Sequence, residues 1–438
     1  MTGNSRLKPA QWLLLLLLAG IQFTNVLDFV IMMPLGPLLQ KEWHISPHEF
    51  GALVSIYGYA ACLAGLLSTW FMDRLDRKRA LLVLYAGFIL GTFGCALASN
   101  LVTLLLARAL VGLFGGILAG AVMAIIGDVF PFERRGFATG IVMSAFSLAS
   151  ILGVPLGLMV AETWSWRWPF AALATLSLGL LALCAWRLPS LRDHLGPRSP
   201  TPPWQATLEL VADVNVRWGL AMLGLVVFTT FAVAPYLPIY LVGNVGMRGE
   251  HLKYVYLCGG LATLATLAPV GRLADRYGKR LVFRVAAVAT VVPLLGLTHL
   301  PTVPLVVILT LTSVFMVISS ARNVPLLALV TACTDARRRG SFMSLIGAVQ
   351  HLSMAVASSL AGLILGVSEM STQGASGSRD TRPLEHFALV GWGATMATLL
   401  SAWMVSKLRS VEASQVSEEH PTASAALAAV EPETSPCV

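Results

Sequence analysis

Charge is scarce in this chain. Only 12% of its 438 residues are Asp, Glu, Lys or Arg, against 56% hydrophobic, where soluble domains carry roughly a quarter charged residues. The chain also lacks a Gly-x4-Gly-Lys-Ser/Thr loop, which argues against ATP hydrolysis. Its six cysteines, from Cys62 to Cys437, are scattered without the spacing of a zinc site or a disulfide framework. His44, His48 and Glu49 form a His-x3-His-Glu group, but a surface loop explains them better than a metal, and no metal is called for. No His/carboxylate or Ser/Lys constellation converges, so an enzyme is not expected. The alternating pattern of a membrane barrel is absent too.

What is there is apolar sequence in helix-length runs. A spanning helix needs about 20 such residues, and twelve segments qualify, the first at 12–39, the seventh at 216–241 and the last at 387–406. Arg6 and Lys8 ahead of Leu13–Leu18 imitate a signal peptide, but the apolar stretch runs on past Gly20. Of the 30 Lys and Arg residues, 22 fall on loops sharing a side with the N-terminus and six on the other. That bias places both termini in the cytoplasm. The net charge of +8 therefore reports topology, and no nucleic-acid partner is expected.

The two halves repeat. Pro34-Leu35-Gly36-Pro37 returns as Pro235-Tyr236-Leu237-Pro238, 201 residues on. Asp73-Arg74 returns as Asp275-Arg276, and Arg134-Arg135-Gly136 as Arg338-Arg339-Gly340. Three pairs in register mark a duplicated membrane unit, the signature of a secondary transporter. The boundaries follow: a six-helix bundle over 1–187, a Pro-rich irregular cytoplasmic linker over 188–215, a second bundle over 216–406 and a disordered cytoplasmic tail over 407–438. Residues Ser371 to Asp380 read as a mobile external loop. Trp164, Trp166 and Trp168 read as interfacial anchors. The fold class is an all-α membrane protein of twelve transmembrane helices in two pseudo-symmetric bundles.

Gly271-Arg-Leu-Ala-Asp275-Arg276-Tyr-Gly278-Lys279-Arg280 resembles the signature loop of the major facilitator superfamily, and the resemblance extends from about residue 12 to 406. In the first-half copy Thr69 and Asp76 stand where the glycines belong. Arg108 with Gly112, the Gly153-Val-Pro155-Leu-Gly157 run and Leu27-Asp28-Phe29 are similar to proton-coupled drug and sugar exporters of the arabinose-efflux type. The resemblance implies a conformational switch at Asp73, Arg74, Gly271, Asp275, Arg276 and Gly278, with Gly153, Pro155 and Gly157 as an antiporter element. It implies that Asp73 docks on the start of the eleventh span near Gly340-Ser341; pseudo-symmetry pairs Asp275 with the start of the fifth near Gly136.

Charged residues deep in a bilayer are costly and need a reason. Asp28 is the only carboxylate well inside an apolar run. Burial disfavours its charged form, as a proton carrier requires; the alternative is a structural Asp paired permanently with an Arg. Gln22, Thr24 and Asn25 make a polar stripe beside it, expected to face a wet cavity. Arg108 and Arg322 are the buried cations, and either can counter Asp28 or bind an anionic group. By resemblance Arg108 belongs with Asp28 in proton transfer. The substrate cavity is assigned to Gln22, Asn25, Arg322, Asn323, Gln350 and His351. The expected protein is a membrane transporter, in the cell (inner) membrane, acting as a monomer, without cofactor, on the proton gradient, and exporting small drug-like or sugar-like molecules in exchange for protons. A proton-coupled importer and a non-transporting receptor share the same fold.

Overall fold

The computed structural model describes residues 9–68, 72, 75–188, 203–334, 339–367 and 383–408. The first half holds α1 (Pro9–Ile31), α2 (Gly36–Trp43), α3 (Pro47–Ser68), α4 (Arg77–Leu97), α5 (Leu101–Val129) and α6 (Phe132–Leu148). A π-helical turn, Ala149–Gly153, leads into α7 (Val154–Thr163) and then α8 (Arg167–Arg187). After α9 (Pro203–Ala212), the second half holds α10 (Val214–Val233), α11 (Leu237–Gly243), α12 (Leu252–Tyr277) and α13 (Lys279–Thr298). It closes with α14 (Leu305–Thr331), α15 (Arg339–Ile364) and α16 (Phe387–Met404). Twelve of the spans these helices make are long and apolar enough to cross a bilayer. Leucines and valines such as Leu16, Val83, Leu90 and Val292 stand exposed around the outside, because lipid tails, not water, are the solvent there.

The repeated Pro-x-x-Pro breaks both leading spans. Proline lacks the N–H that continues a helix, and α1 stops at Ile31 before α2 restarts at Gly36. In the copy, α10 stops at Val233 and α11 restarts at Leu237. The segments 12–39 and 216–241 are therefore each a long helix, a turn and a short second helix. Elsewhere polar residues fix the ends. Asn100 and Thr103 make a reciprocal capping box on α5. Ser46 and Glu49 do the same ahead of α3, with the Ser46 N–H and hydroxyl both 2.8 Å from Glu49 Oε2. Glu49 is thereby spent on a helix cap.

The motif's two copies turn differently. Gly278 sits at φ 90°, ψ 135° between α12 and α13, backbone that side chains avoid. Its counterpart Asp76 sits at φ −57° and instead caps α4, accepting from the Lys78 N–H at 2.9 Å. Each residue suits its own turn. Gly278→Ala should cost about 1–3 kcal/mol, visible as a lower Tm in thermal unfolding, whereas Asp76→Gly should lose the cap.

Two sequence expectations need correction. The linker is not wholly irregular, since Pro203–Ala212 forms α9, packed on α10 and α15. Trp166 is no interfacial anchor. It is buried, edge-on to Trp43 at 5.0 Å, with the Arg167 guanidinium 4.5 Å from its ring centroid. Trp164 and Trp168 do stand exposed. A two-residue ribbon, Gly366–Val367 on Leu384–Glu385, is added to the helices. It is tied down by Asn244, which exchanges two 2.8 Å bonds with the Leu384 backbone. Ser371–Asp380 and the tail after Leu408 lie outside the described residues.

Helices α3, α4, α5 and α8 pack together, as do α10, α12, α13, α14 and α16; the seams between the bundles run along α3–α15 and α7–α12. Twelve crossings leave both chain ends on one face, here the terminal face, opposite a distal face. The α3–α15 seam is tight distally. A β-carbon placed on Gly51 would meet Ser358 O at 2.9 Å, and one on Gly58 would meet His351 O at 2.8 Å. Gly65 continues the same stripe seven residues on, toward the terminal face, yet has nothing within 4 Å. The same is true of Gly347 on α15. The seam thus loosens toward the terminal face, leaving a crevice of open space beside these two glycines.

Candidate functional site

Asp28 lies one turn before the break in the first span and is fully buried, 0% exposed, as is Arg108. Asp28 Oδ2 is 2.6 Å from Arg108 Nη1. Asp28 Oδ1 accepts from the Thr92 hydroxyl at 3.0 Å, and that hydroxyl also donates to Phe88 O. The Tyr57 ring lies 5.0 Å from the Arg108 guanidinium carbon, a cation–π contact that partly replaces lost solvation. Arg108 Nε and Nη2 have no hydrogen-bond partner among the described residues. Taking both ions out of water costs several kcal/mol each, which mutual attraction only roughly offsets. Such a pair is a poor stabiliser and a good candidate for function.

The polar stripe on α1 does not line an open crevice. Thr24 shares a 2.9 Å hydrogen bond with the Tyr85 hydroxyl of α4, and the Asn25 amide donates to Gly115 O of α5 at 3.1 Å. Gln22 is buried as well. The stripe faces the interior of the first bundle, where α4 and α5 meet Thr24 and the Asn25 amide, while Gln22 Oε1 and Asn25 Oδ1 have no partner among the described residues.

Tyr57 carries the site to the other bundle. Its ring meets His351 of α15 edge-on at 6.3 Å and Phe29 of α1 at 5.1 Å, and Phe29 meets Phe231 of α10 at 5.7 Å. The contacts Asp28–Arg108–Tyr57–His351 thus run from the first bundle into the seam. Tyr57, Thr92, Phe29 and Phe231 were not singled out from sequence. The seven-residue spacing of Gly51, Gly58 and Gly65 is the signal that marks α3 as a seam helix and points to Tyr57 beside it.

Arg322 sits apart on α14, 0% exposed, its Nη2 donating to Thr230 Oγ1 at 3.0 Å and Val226 O at 3.3 Å. Asn323 and Gln350, neighbours in sequence of Arg322 and His351, are exposed on their helices; the structure does not bring them to either buried cation.

The Gly-Pro-Gly element has a physical form. The π turn ends at Gly153, and Pro155 opens α7. A β-carbon on Gly153 or Gly157 would collide with Leu27 or Ile31 of α1, each at 2.7 Å. From the other side α12 presents Gly260 to Ile151 at 2.9 Å. The irregular turn is gripped between the two bundles. Of the signature loops, Asp73 and Arg74 lie outside the described residues, and so do the side chains of Gly340-Ser341. Gly271 has nothing within 4 Å. Asp275 is exposed, and Arg276 lies 5.4 Å over Tyr277. A β-carbon on Gly136 would also meet nothing within 4 Å, and no hydrogen bond or ion pair joins Asp275 to the start of the fifth span among the described residues. Sequence reasoning also missed Asp128, whose Oδ2 is 2.9 Å from Arg77 Nε at the foot of the first bundle.

The sequence model of the Major Facilitator Superfamily matches residues 18–358 and 226–431. The chain belongs to that superfamily. This major facilitator is 28% identical over 344 residues to an uncharacterized MFS-type transporter, YwfA, of Bacillus subtilis (strain 168), covering 76% of this chain and 81% of that protein. It is 29% identical over 195 residues to the gallate transporter of Pseudomonas putida (44% and 43%). To multidrug resistance protein 3 of Bacillus subtilis (strain 168) it is 26% identical over 214 residues (49% and 41%). The last two matches span less than half of those relatives. Its fold matches the D-xylose–proton symporter with TM-score 0.72 at 16% identity, over 91% of this chain and 98% of that one. A bacterial Spinster homologue in an inward-facing and occupied conformation matches with TM-score 0.71 at 15% identity (92% and 98%). At these identities the structures speak to fold alone. The major facilitator is a multi-pass membrane protein of a transporter family.

Proposed function

We propose that this major facilitator exports a small amphipathic molecule in exchange for protons, with Asp28 as the proton-linked carboxylate. The observation that carries this reading is the Asp28–Arg108 pair, sealed at 2.6 Å in one bundle and joined through Tyr57 to His351 of the other. Ionised Asp28 holds Arg108. When a proton neutralises Asp28, the guanidinium loses its counter-ion and leans on the Tyr57 ring, and so on the α3–α15 seam. Proton binding and the seam's geometry are then linked. The terminal face is cytoplasmic, so the crevice faces inward here. The driving force is the proton gradient, with no cofactor, and a monomer suffices.

Asp73, docking on the start of the eleventh span, closes the cytoplasmic side, and Asp275 acts as its pseudo-symmetric partner. Gly65 and Gly347 are where α3 and α15 meet on closing, as Gly51 meets Ser358 distally. Gly65→Leu should hold the crevice open, leaving ligand binding intact and cutting transport at least about tenfold; turnover at the wild-type rate would remove Gly65 from the closing seam. The name of the multidrug resistance relative favours amphipathic cargo. A ligand-library thermal-shift screen, followed by transport of the hits in proteoliposomes under pH gradients of both signs, tests the proposal. Efflux should follow inward proton flow; accumulation with the proton would establish the importer, and no flux the receptor.

A further inference from the structure

The second bundle holds a buried cation that no carboxylate answers. No Asp or Glu stands in any spanning helix of that half except Asp275, at the exposed end of α12, and Glu250 precedes that helix. Arg322 is 0% exposed, its Nη2 serves Thr230 and Val226 on α10, and its Nε and Nη1 have no partner among the described residues. One turn earlier on the same face of α14, the Ser319 hydroxyl is buried and equally without a partner. The neighbouring α12 adds a third such group. Met316 of α14 packs against Gly259, so Thr263, four residues along the parallel α12, stands level with Ser319–Ser320. Its Oγ1 is also buried and unpartnered. A buried guanidinium with two unpartnered N–H groups beside hydroxyl donors is complementary to an anion. A merely structural Arg would spend its donors on backbone carbonyls.

We propose that Arg322, with Ser319 and Thr263, forms an anion site that holds a carboxylate of the transported molecule. This rests on the transport reading above and narrows its cargo to acids. The charge also supplies selectivity. A neutral amide of the same shape leaves the guanidinium without a counter-ion, and a cation is repelled.

The test uses full-length protein in nanodiscs with benzoate, hexanoate and succinate, each beside its amide. Thermal shift should rank at least one acid well above its amide. Arg322→Gln should weaken that acid at least about tenfold and leave the amide unchanged. Arg322→Lys, which keeps the charge and serves should the Gln variant not fold, should retain a preference for acid over amide at reduced affinity. Equal stabilisation by acid and amide, no stabilisation by any acid, or acid binding that survives Arg322→Gln each overturns the site. Flux of the bound compounds in proteoliposomes separates this idea from the other. Gradient-driven flux of a neutral compound at the wild-type rate in Arg322→Gln sinks the anion site and leaves proton-coupled transport standing. Acid binding lost in Arg322→Gln, with no response to a pH gradient, does the reverse.

Discussion

Proteoliposomes carrying Asp28→Asn should show gradient-driven efflux no faster than empty vesicles, while still binding cargo and exchanging it down its own gradient. Asn is nearly isosteric with the protonated carboxyl and can still accept from Thr92, which lies 3.0 Å from Oδ1. It cannot release a proton, so the protein is fixed in one charge state and the gradient has nothing to act on. Asp28→Glu keeps a titratable group but adds a methylene in a fully buried site; partial activity with a displaced pH profile is expected. Uphill export at the wild-type rate by the Asn variant would exclude Asp28 as the coupling group.

The second large effect is on stability. Arg108→Gln removes one member of a buried pair and strands Asp28, with only Thr92 left to support its charge. Breaking such pairs costs about 3–5 kcal/mol. The double variant Asp28→Asn, Arg108→Gln removes both charges, and most of that loss should return. Thermal unfolding of the two single variants and the double variant closes the cycle. A double variant as unstable as the sum of the singles would show that the residues do not act as a pair.

Much of this architecture could be read before any coordinates, for a physical reason. In lipid, charge and broken helix are both expensive, so Asp28, Arg108, Arg322 and the duplicated prolines stood out against an apolar background. The partnerships did not. Asp28 and Arg108 are 80 residues apart, and composition says only that each needs a partner. The Gln22–Asn25 stripe was polar enough to suggest a wet face; that α4 and α5 bring Tyr85 and Gly115 O to meet it is a matter of tertiary packing. Trp166 lies between two exposed tryptophans and differs from them only in pointing toward Trp43. Tyr57 carried no charge or irregularity to notice, although the glycines spaced by seven along α3 mark where the bundles meet.

Arg322, with no carboxylate in the spans around it, has an electrical consequence. A monoanion carried outward from that site against one inward proton moves two elementary charges in the same direction per cycle. At roughly 2.3 kcal/mol per charge per 100 mV, a membrane negative inside would supply about twice that amount for each molecule expelled, even with no pH difference. A valinomycin-clamped potassium diffusion potential, applied at equal pH, would then drive export alone, and collapsing it under a standing pH difference would slow export to what the pH difference by itself sustains.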